Sequence, residues 1–362
     1  MLMALSGWGR STTAVLFVAG LMMMVSGSGC KSQNNENSVS SPPSSTADRP
    51  IEPVMRIVSL DPRFDELVPA STRIEKLADG YKWTEGPVWN RAESYLLFTN
   101  IPGNEIVKWQ EGQGASQYLH PSGYSGTAPF EGREPGANGL TYNARGELVL
   151  CQHGDRRVGR LDAVTRKIET VVDRFEGHRF NSPNDLTYHS NGDLYFTDPI
   201  YGLPKGAEDP ARELDFCGVY RLDRRGRLTL LTREITRPNG IAFSPDEKHL
   251  YVASSDPEKA IWMVYDVSAD GSITNGRVFF DATPMVKEGR KGLPDGLKVD
   301  RAGNLFATGP GGVLVFSADG THLGTIETGV PTANCAWGED GSTLFITANT
   351  ALLRVKLRTR GY

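Results

Sequence analysis

Cysteine is scarce in this chain: its 362 residues hold four, Cys30, Cys151, Cys217 and Cys335. That is too few, at too wide a spacing, for a disulfide framework or a Cys-x-x-Cys metal site. Cys151 and Cys335 stand in apolar, strand-like runs, where a buried free thiol is the ordinary outcome. An excess of one charge is lacking too. The 39 Lys and Arg are interspersed with 43 Asp and Glu, for a net charge of -4, so there is no basic patch for nucleic acid and no acidic tail for a charge-driven partner. Familiar catalytic signatures are also missing: no Gly-x-Ser-x-Gly elbow, no Gly-x-x-x-x-Gly-Lys-Ser/Thr phosphate loop and no His-Glu-x-x-His helix. The stretch EGREPGANG has glycines around acidic residues but not the strand-then-helix context of a dinucleotide site.

Long apolar runs are confined to the start of the chain. Arg10, an apolar stretch from Thr13 to Val25 and small residues ending at Cys30 read as a secretory signal. Small residues before a Cys resemble a lipobox, so lipidation at Cys30 is expected, with an exported, periplasmic or cell-envelope location. The run is shorter than the ~20 residues that span a bilayer. Residues 31–50, KSQNNENSVSSPPSSTADRP, have almost no large apolar side chain and are expected to form a disordered tether. Residues 51–362 then make one domain.

What is abundant is glycine, 40 residues, and proline, 22, the composition of a turn-rich β protein. One phrase returns six times: a small polar cluster, an apolar run, a Gly or Asp turn, and a second apolar run. The copies are EGPVWNRAESYLLFTN from Glu85, NGLTYNARGELVLCQ from Asn138, NDLTYHSNGDLYFTD from Asn184, NGIAFSPDEKHLYVAS from Asn239, DGLKVDRAGNLFATG from Asp295 and NCAWGEDGSTLFITA from Asn334. Their starts lie 39 to 56 residues apart, and periods of this size mark a propeller or a related array. A further hairpin-like pair, such as CGVYRLDRRGRLTLLT, follows each of several copies. Four strands per period and six periods predict an all-β, six-bladed β-propeller. Arg73 to Leu77 is expected to add a strand to the last blade and so remove an open edge.

In a propeller the innermost strands line the channel, so the residues that introduce them ring one channel mouth. Here these are Glu85, Asn138, Asn184, Asn239, Asp295 and Asn334. All six offer a side-chain oxygen, and none is His or Cys. Such a ring suits a hard divalent cation, Ca²⁺ first, with Mg²⁺, Mn²⁺ or Zn²⁺ as alternatives. Against this stands the plain use of Asn, Asp and Gly as turn formers, which would accept Ser or Gly as readily as Asn at six matching places.

The motifs WTEGPVW, NGLTYNARGELVLCQHGDRRV, FNSPNDLTYHSNGDLYFTDPIYGL, RPNGIAFSPDE and GLPDGLKVD together resemble the SMP-30/gluconolactonase/regucalcin-like family of six-bladed propellers, over Phe64 to Leu357. The resemblance implies that Glu85, Asn184, Asn239 and Asp295 hold one catalytic divalent metal. It implies a metal-dependent lactone hydrolase, in which the metal polarises the carbonyl and activates water, with Asp295 as general base. Asn138, His153 and Tyr201 are candidate substrate-binding residues, Leu203 a further wall residue, and Asp198 a turn anchor. Family members carry an Arg two residues before the position of Asn184; this chain has Ser182 there and Arg179 slightly earlier, which points away from a gluconate-type lactone. A phosphotriesterase or arylesterase on the same site, and a non-catalytic ligand-binding propeller with a structural metal, remain alternatives. The stretches Gln117–Pro135, Pro204–Phe216 and Asp256–Gly292 are expected to build lid and pocket. No edge strand demands a partner, so oligomeric state stays open.

Overall fold

The structure is a computed structural model and describes residues 54–361. The expected signal, the lipidation at Cys30 and the tether lie outside the described residues. Six antiparallel sheets of four or five strands follow one another along the chain, with a two-stranded ribbon, Arg174–Phe175 paired with His178–Arg179, between the second and third. Their inner strands are Thr84–Asn90, Ala137–Tyr142, Leu186–Tyr188, Pro238–Phe243, Leu297–Val299 and Thr332–Gly338, and each opens one copy of the repeated phrase. The blades, numbered one to six in that order, form the six-bladed propeller expected. In the first copy the two apolar runs become Thr84–Asn90 and Tyr95–Asn100, paired with Trp89 opposite Leu96. The polar residues between them are the turn, since side chains that cannot pack between blades collect where the backbone reverses.

Both ends of the described chain meet in the last blades. Glu75–Ala78 pairs with Ala351–Lys356 as the outermost strand of blade six, Glu75 facing Arg354, close to the segment expected to close the ring. An unexpected strand, Arg56–Ser59, adds to blade five by pairing with His322–Glu327. It leads into a short helix, Pro62–Leu67, whose N-cap Asp61 accepts from the Arg63 N–H at 2.9 Å. The helix buries Phe64 completely against blades five and six. The expected lid from Asp256 to Gly292 is largely something else: Lys259–Val267 and Ile273–Asp281 are the outer strands of blade four. The unbroken apolar run IWMVY buries Ile261, Trp262, Val264 and Tyr265, so both faces of this strand pack in the core and hold the segment in the sheet. A short helix, Thr283–Lys287, and the residues up to Leu293 carry the chain back to the channel mouth.

The core lies between neighbouring blades, where aromatic side chains bridge the gaps. Trp89 of blade one stacks on Phe345 of blade six with centroids 5.5 Å apart, and Phe306 of blade five meets Trp337 of blade six edge-on at 4.9 Å. Each such side chain contributes roughly 1.5–3 kcal/mol by leaving water. Near the axis the blades converge and little room remains. A Cβ on Gly240 would come within 2.3 Å of the Asp295 carbonyl oxygen, and one on Gly86 within 2.0 Å of the Asn138 carbonyl oxygen. Gly86 also sits at φ +48°. The glycine after a ring residue therefore lets the next blade's ring residue approach, which explains the repeated Glu-Gly and Asn-Gly pairs.

Candidate active site

The structure brings Glu85, Asn138, Asn184, Asn239 and Asp295 together around one cleft of about 420 Å³ at the channel mouth, with Tyr201 on its wall. A larger hollow, about 620 Å³, lies on blade five beside Arg56, Arg290 and His322, and holds none of these residues. The cleft is the chemically distinctive one: apolar at its rim, with Trp83, Ile101, Val286 and Leu293, and oxygen-lined at its floor. No Lys or Arg side chain lines it among the described residues.

The floor residues are held by backbone ladders that leave their side chains directed inward. Asn184 is fixed by its N–H to the Thr197 carbonyl, 2.9 Å, and by its carbonyl accepting from Gly139 N–H at 2.8 Å. Asn239 donates from Nδ2 to Ser255 Oγ at 2.7 Å. That contact turns its Oδ1 away, and this oxygen is buried with no hydrogen-bond partner, as are Asn138 Oδ1 and Asp295 Oδ1. Glu85 is 2% exposed; its Oε2 accepts from Gly86 N–H at 2.7 Å and from Asn334 Nδ2 at 3.1 Å.

Burial pushes the Glu85 carboxyl up to about 7, reinforced by the nearby charge of Asp185. Burial pushes Asp295 well above the usual carboxylate range, with Glu85 and then Asp185 adding to the shift. Two buried carboxyls that oppose each other's ionisation, beside amide oxygens without donors, form an unneutralised acceptor set. These residues fit a hard divalent cation: oxygen-only donors, two of them anionic, the others neutral amides. Among the described residues, no group of three or more His, Cys, Asp or Glu side chains suits a metal; any cation site here depends on the amides.

Other sequence expectations land differently. Asn334, the sixth ring residue, is not a free oxygen donor, because its Oδ1 accepts from Cys335 N–H at 2.8 Å while its Nδ2 holds Glu85. His153 does not line the cleft; it is completely buried behind Asn138. Leu203 is buried and absent from the lining. Asp198 anchors the turn, accepting from Asn181 and Ser182 N–H at 2.9 and 2.7 Å. Ser182 spends its hydroxyl on Pro199 O, and Arg179 reaches Asp155 O instead of the cleft. The segment Pro204–Phe216 supplies no lining residue and docks through Ala211 O onto Arg156. Ser255 and Trp83 line the cleft and were missed, whereas Glu134 lines it from within Gln117–Pro135, a stretch expected to build the pocket. Glu134 and Trp83 precede their copies, outside the repeated phrase, and Ser255 stands one residue past the end of the fourth copy.

A propeller with an oxygen-lined cleft at its axis defines a class, and sequence comparison names the family. Residues 83–350 match the SMP-30/Gluconolactonase/LRE-like region, and the chain belongs to that family. A gluconolactonase of Zymomonas mobilis is 41% identical over 310 residues, 84% of this chain and 87% of that protein. A pentonolactonase of Haloferax volcanii is 28% identical, covering 73% of this chain and 80% of its own length. Among solved structures, a gluconolactonase of Xanthomonas campestris is 31% identical with a TM-score of 0.72, covering 83% of this chain and 94% of that one.

Proposed function

We propose that this protein is a lactone hydrolase of gluconolactonase type, working with one divalent cation held by Glu85, Asn184, Asn239 and Asp295. The observation that carries the reading is the floor of the cleft, where Asn239 Oδ1 and Asp295 Oδ1 are buried without partners beside Glu85. The likeness to the Zymomonas mobilis gluconolactonase, over most of both chains, supports the substrate class. Oxygen-only donors favour Ca²⁺ over softer ions. When bound, the cation supplies Lewis acidity toward the lactone carbonyl and lowers the pKa of water in its shell.

The chain's own residues do the rest. The apolar rim at Trp83 and Leu293 takes the ring of the lactone and excludes bulk water from the floor. Asp295 accepts a proton from water as its oxygen bonds to the carbonyl carbon, and returns that proton to the ring oxygen when the carbon–oxygen bond of the lactone breaks. Glu85, pinned by Gly86 and Asn334, stays in place as an anionic neighbour. The products are the open hydroxy acid and its proton. An exported, envelope-bound form anchored at Cys30 completes the proposal.

The test is acid release from a panel of lactones by protein beginning at Ile51, with EDTA and then with Ca²⁺, Mg²⁺, Mn²⁺ or Zn²⁺ restored. Turnover lost to EDTA and regained with one ion is expected, and D295N should lower kcat by at least about 10²-fold at unchanged thermal stability in the loaded state. Turnover that persists in EDTA would remove the metal from the reading; inertness toward every lactone would remove the hydrolase.

A further inference from the structure

Behind the cleft lies a chain of polar contacts that the proposed chemistry does not use. Glu134 lines the cleft and places Oε2 2.9 Å from His153 Nδ1. His153 is completely buried. Its other ring nitrogen, Nε2, lies 3.4 Å from Asn138 Nδ2, and Asn138 Oδ1 is buried at the cleft without a partner. The imidazole is tightly seated: a Cβ on the neighbouring Gly202 would fall 2.6 Å from His153 Cβ and 2.7 Å from Ser182 Cβ. Completely buried and outside the cleft lining, the ring does not reach substrate itself.

We propose that His153 is a positioning residue, which fixes the Asn138 amide with its carbonyl oxygen toward the cleft and so makes this wall a surface of hydrogen-bond acceptors. The steps follow from donor and acceptor chemistry. At 2.9 Å two facing lone pairs would repel, so the ring nitrogen beside the Glu134 carboxylate carries the hydrogen even though the contact is not aligned as a hydrogen bond. Nε2 is then the ring's acceptor, and an amide beside it must present NH₂. With Nδ2 thus engaged, Oδ1 faces inward. Glu134 contributes further acceptor oxygens, since it lines the cleft and its approach to His153 Nδ1 is a close ion-pair contact without hydrogen-bond alignment. Two acceptors side by side are satisfied by a ligand with hydroxyl donors, and they leave an unsubstituted lactone, an aryl ester or a phosphotriester with nothing to donate. A site built to receive hydroxyl groups rejects analogues that lack them, because its own buried polar atoms go unpaired.

This inference rests on the lactonase reading and deepens it, and its test keeps the two apart. Hydrolysis of glucono-δ-lactone, which carries four hydroxyl groups, is compared with that of δ-valerolactone, which carries none, for wild type, H153F and H153Q. In H153F the ratio of kcat/KM between the two lactones should fall about tenfold, through KM and not kcat. H153Q, whose amide oxygen can still accept from Asn138, should recover part of it. A ratio unchanged in H153F, or a loss that falls equally on both lactones, overturns the proposal. If wild type hydrolyses neither, the lactonase reading fails, and calorimetric binding of D-gluconate decides: affinity weakened about tenfold by H153F supports the acceptor wall, and equal affinity overturns it. Should H153F fail to fold, H153L, which likewise lacks a ring acceptor for the Asn138 amide, carries the same comparison.

Discussion

Two regions of this propeller gather acidic side chains, and they neutralise them differently. On blade six Arg354 draws in Glu75 at 2.8 Å, Glu111 at 2.5 Å and Glu339 at 3.2 Å. The Arg354 side chain is 13% exposed, and it brings the closing strand Glu75–Ala78, blade one and the rest of blade six to one charge. In the cleft, Glu85 and Asp295 stand with Asp185 and Glu134 within electrostatic reach, and no Lys or Arg among the described residues lines the space. Where the acids serve the fold, the chain supplies its own cation; at the cleft Lys298 reaches only Asp185 electrostatically, and the proposed divalent ion would supply the positive charge for Glu85 and Asp295. The second arrangement costs stability in the cation-free protein, because buried acids must keep their protons or bear the desolvation of their charge.

The largest test is to give the cleft a cation of its own. N239K should abolish turnover, by about 10³-fold or more, and make the melting temperature insensitive to EDTA and to added Ca²⁺. A variant that still melts higher with Ca²⁺ would show that the ion binds elsewhere. A smaller effect follows from the raised pKa of Glu85. A folded value of about 7 against an ordinary 4.5 means that the folded state binds more protons across that interval. Stability of the cation-free protein is therefore fully present below about 4.5 and declines as pH rises toward about 7. Saturating Ca²⁺ should flatten this decline, since an opposite charge favours the ionised carboxyl. Denaturant midpoints from pH 5 to 8, with and without Ca²⁺, measure it; parallel curves would count against a cation at Glu85. The smallest change is at the self-neutralised cluster. R354M should destabilise the fold by about 1–3 kcal/mol, leave kcat unaltered and add no dependence on Ca²⁺.

The blades were legible because each inner hairpin repeats one phrase, and the phrase encodes two needs at once: alternation for the sheet and a polar residue plus glycine for the crowded axis. The strand Arg56–Ser59 was not, since RIVS finds its partner at His322–Glu327, where no local turn announces the pairing. The ring of oxygens could be read from position alone; which of them are free could not. Asn334 and Asn239 look alike in sequence, yet Cys335 N–H occupies the oxygen of the first while Ser255 takes only the NH₂ of the second. Glu134 could be located only to the stretch Gln117–Pro135, because in the connection between blades one and two no period singles out one residue. The placement of His153 depends on Gly202, 49 residues further along the sequence.

The pairing of Glu75–Ala78 with Ala351–Lys356 has a kinetic side. Its two strands are separated by 279 residues at the Glu75–Arg354 contact, so the loop-closure entropy of nearly the whole domain must be met before that seam forms. Blades one to four and the four consecutive strands of blade five can assemble from local hairpins, but the added strand Arg56–Ser59 and the closing strand of blade six wait for partners near the end of the chain. Ring closure is then expected to be the late, slow event of folding, and the amides of Ala351–Lys356 that face Glu75–Ala78 the first to exchange with solvent when the native protein breathes.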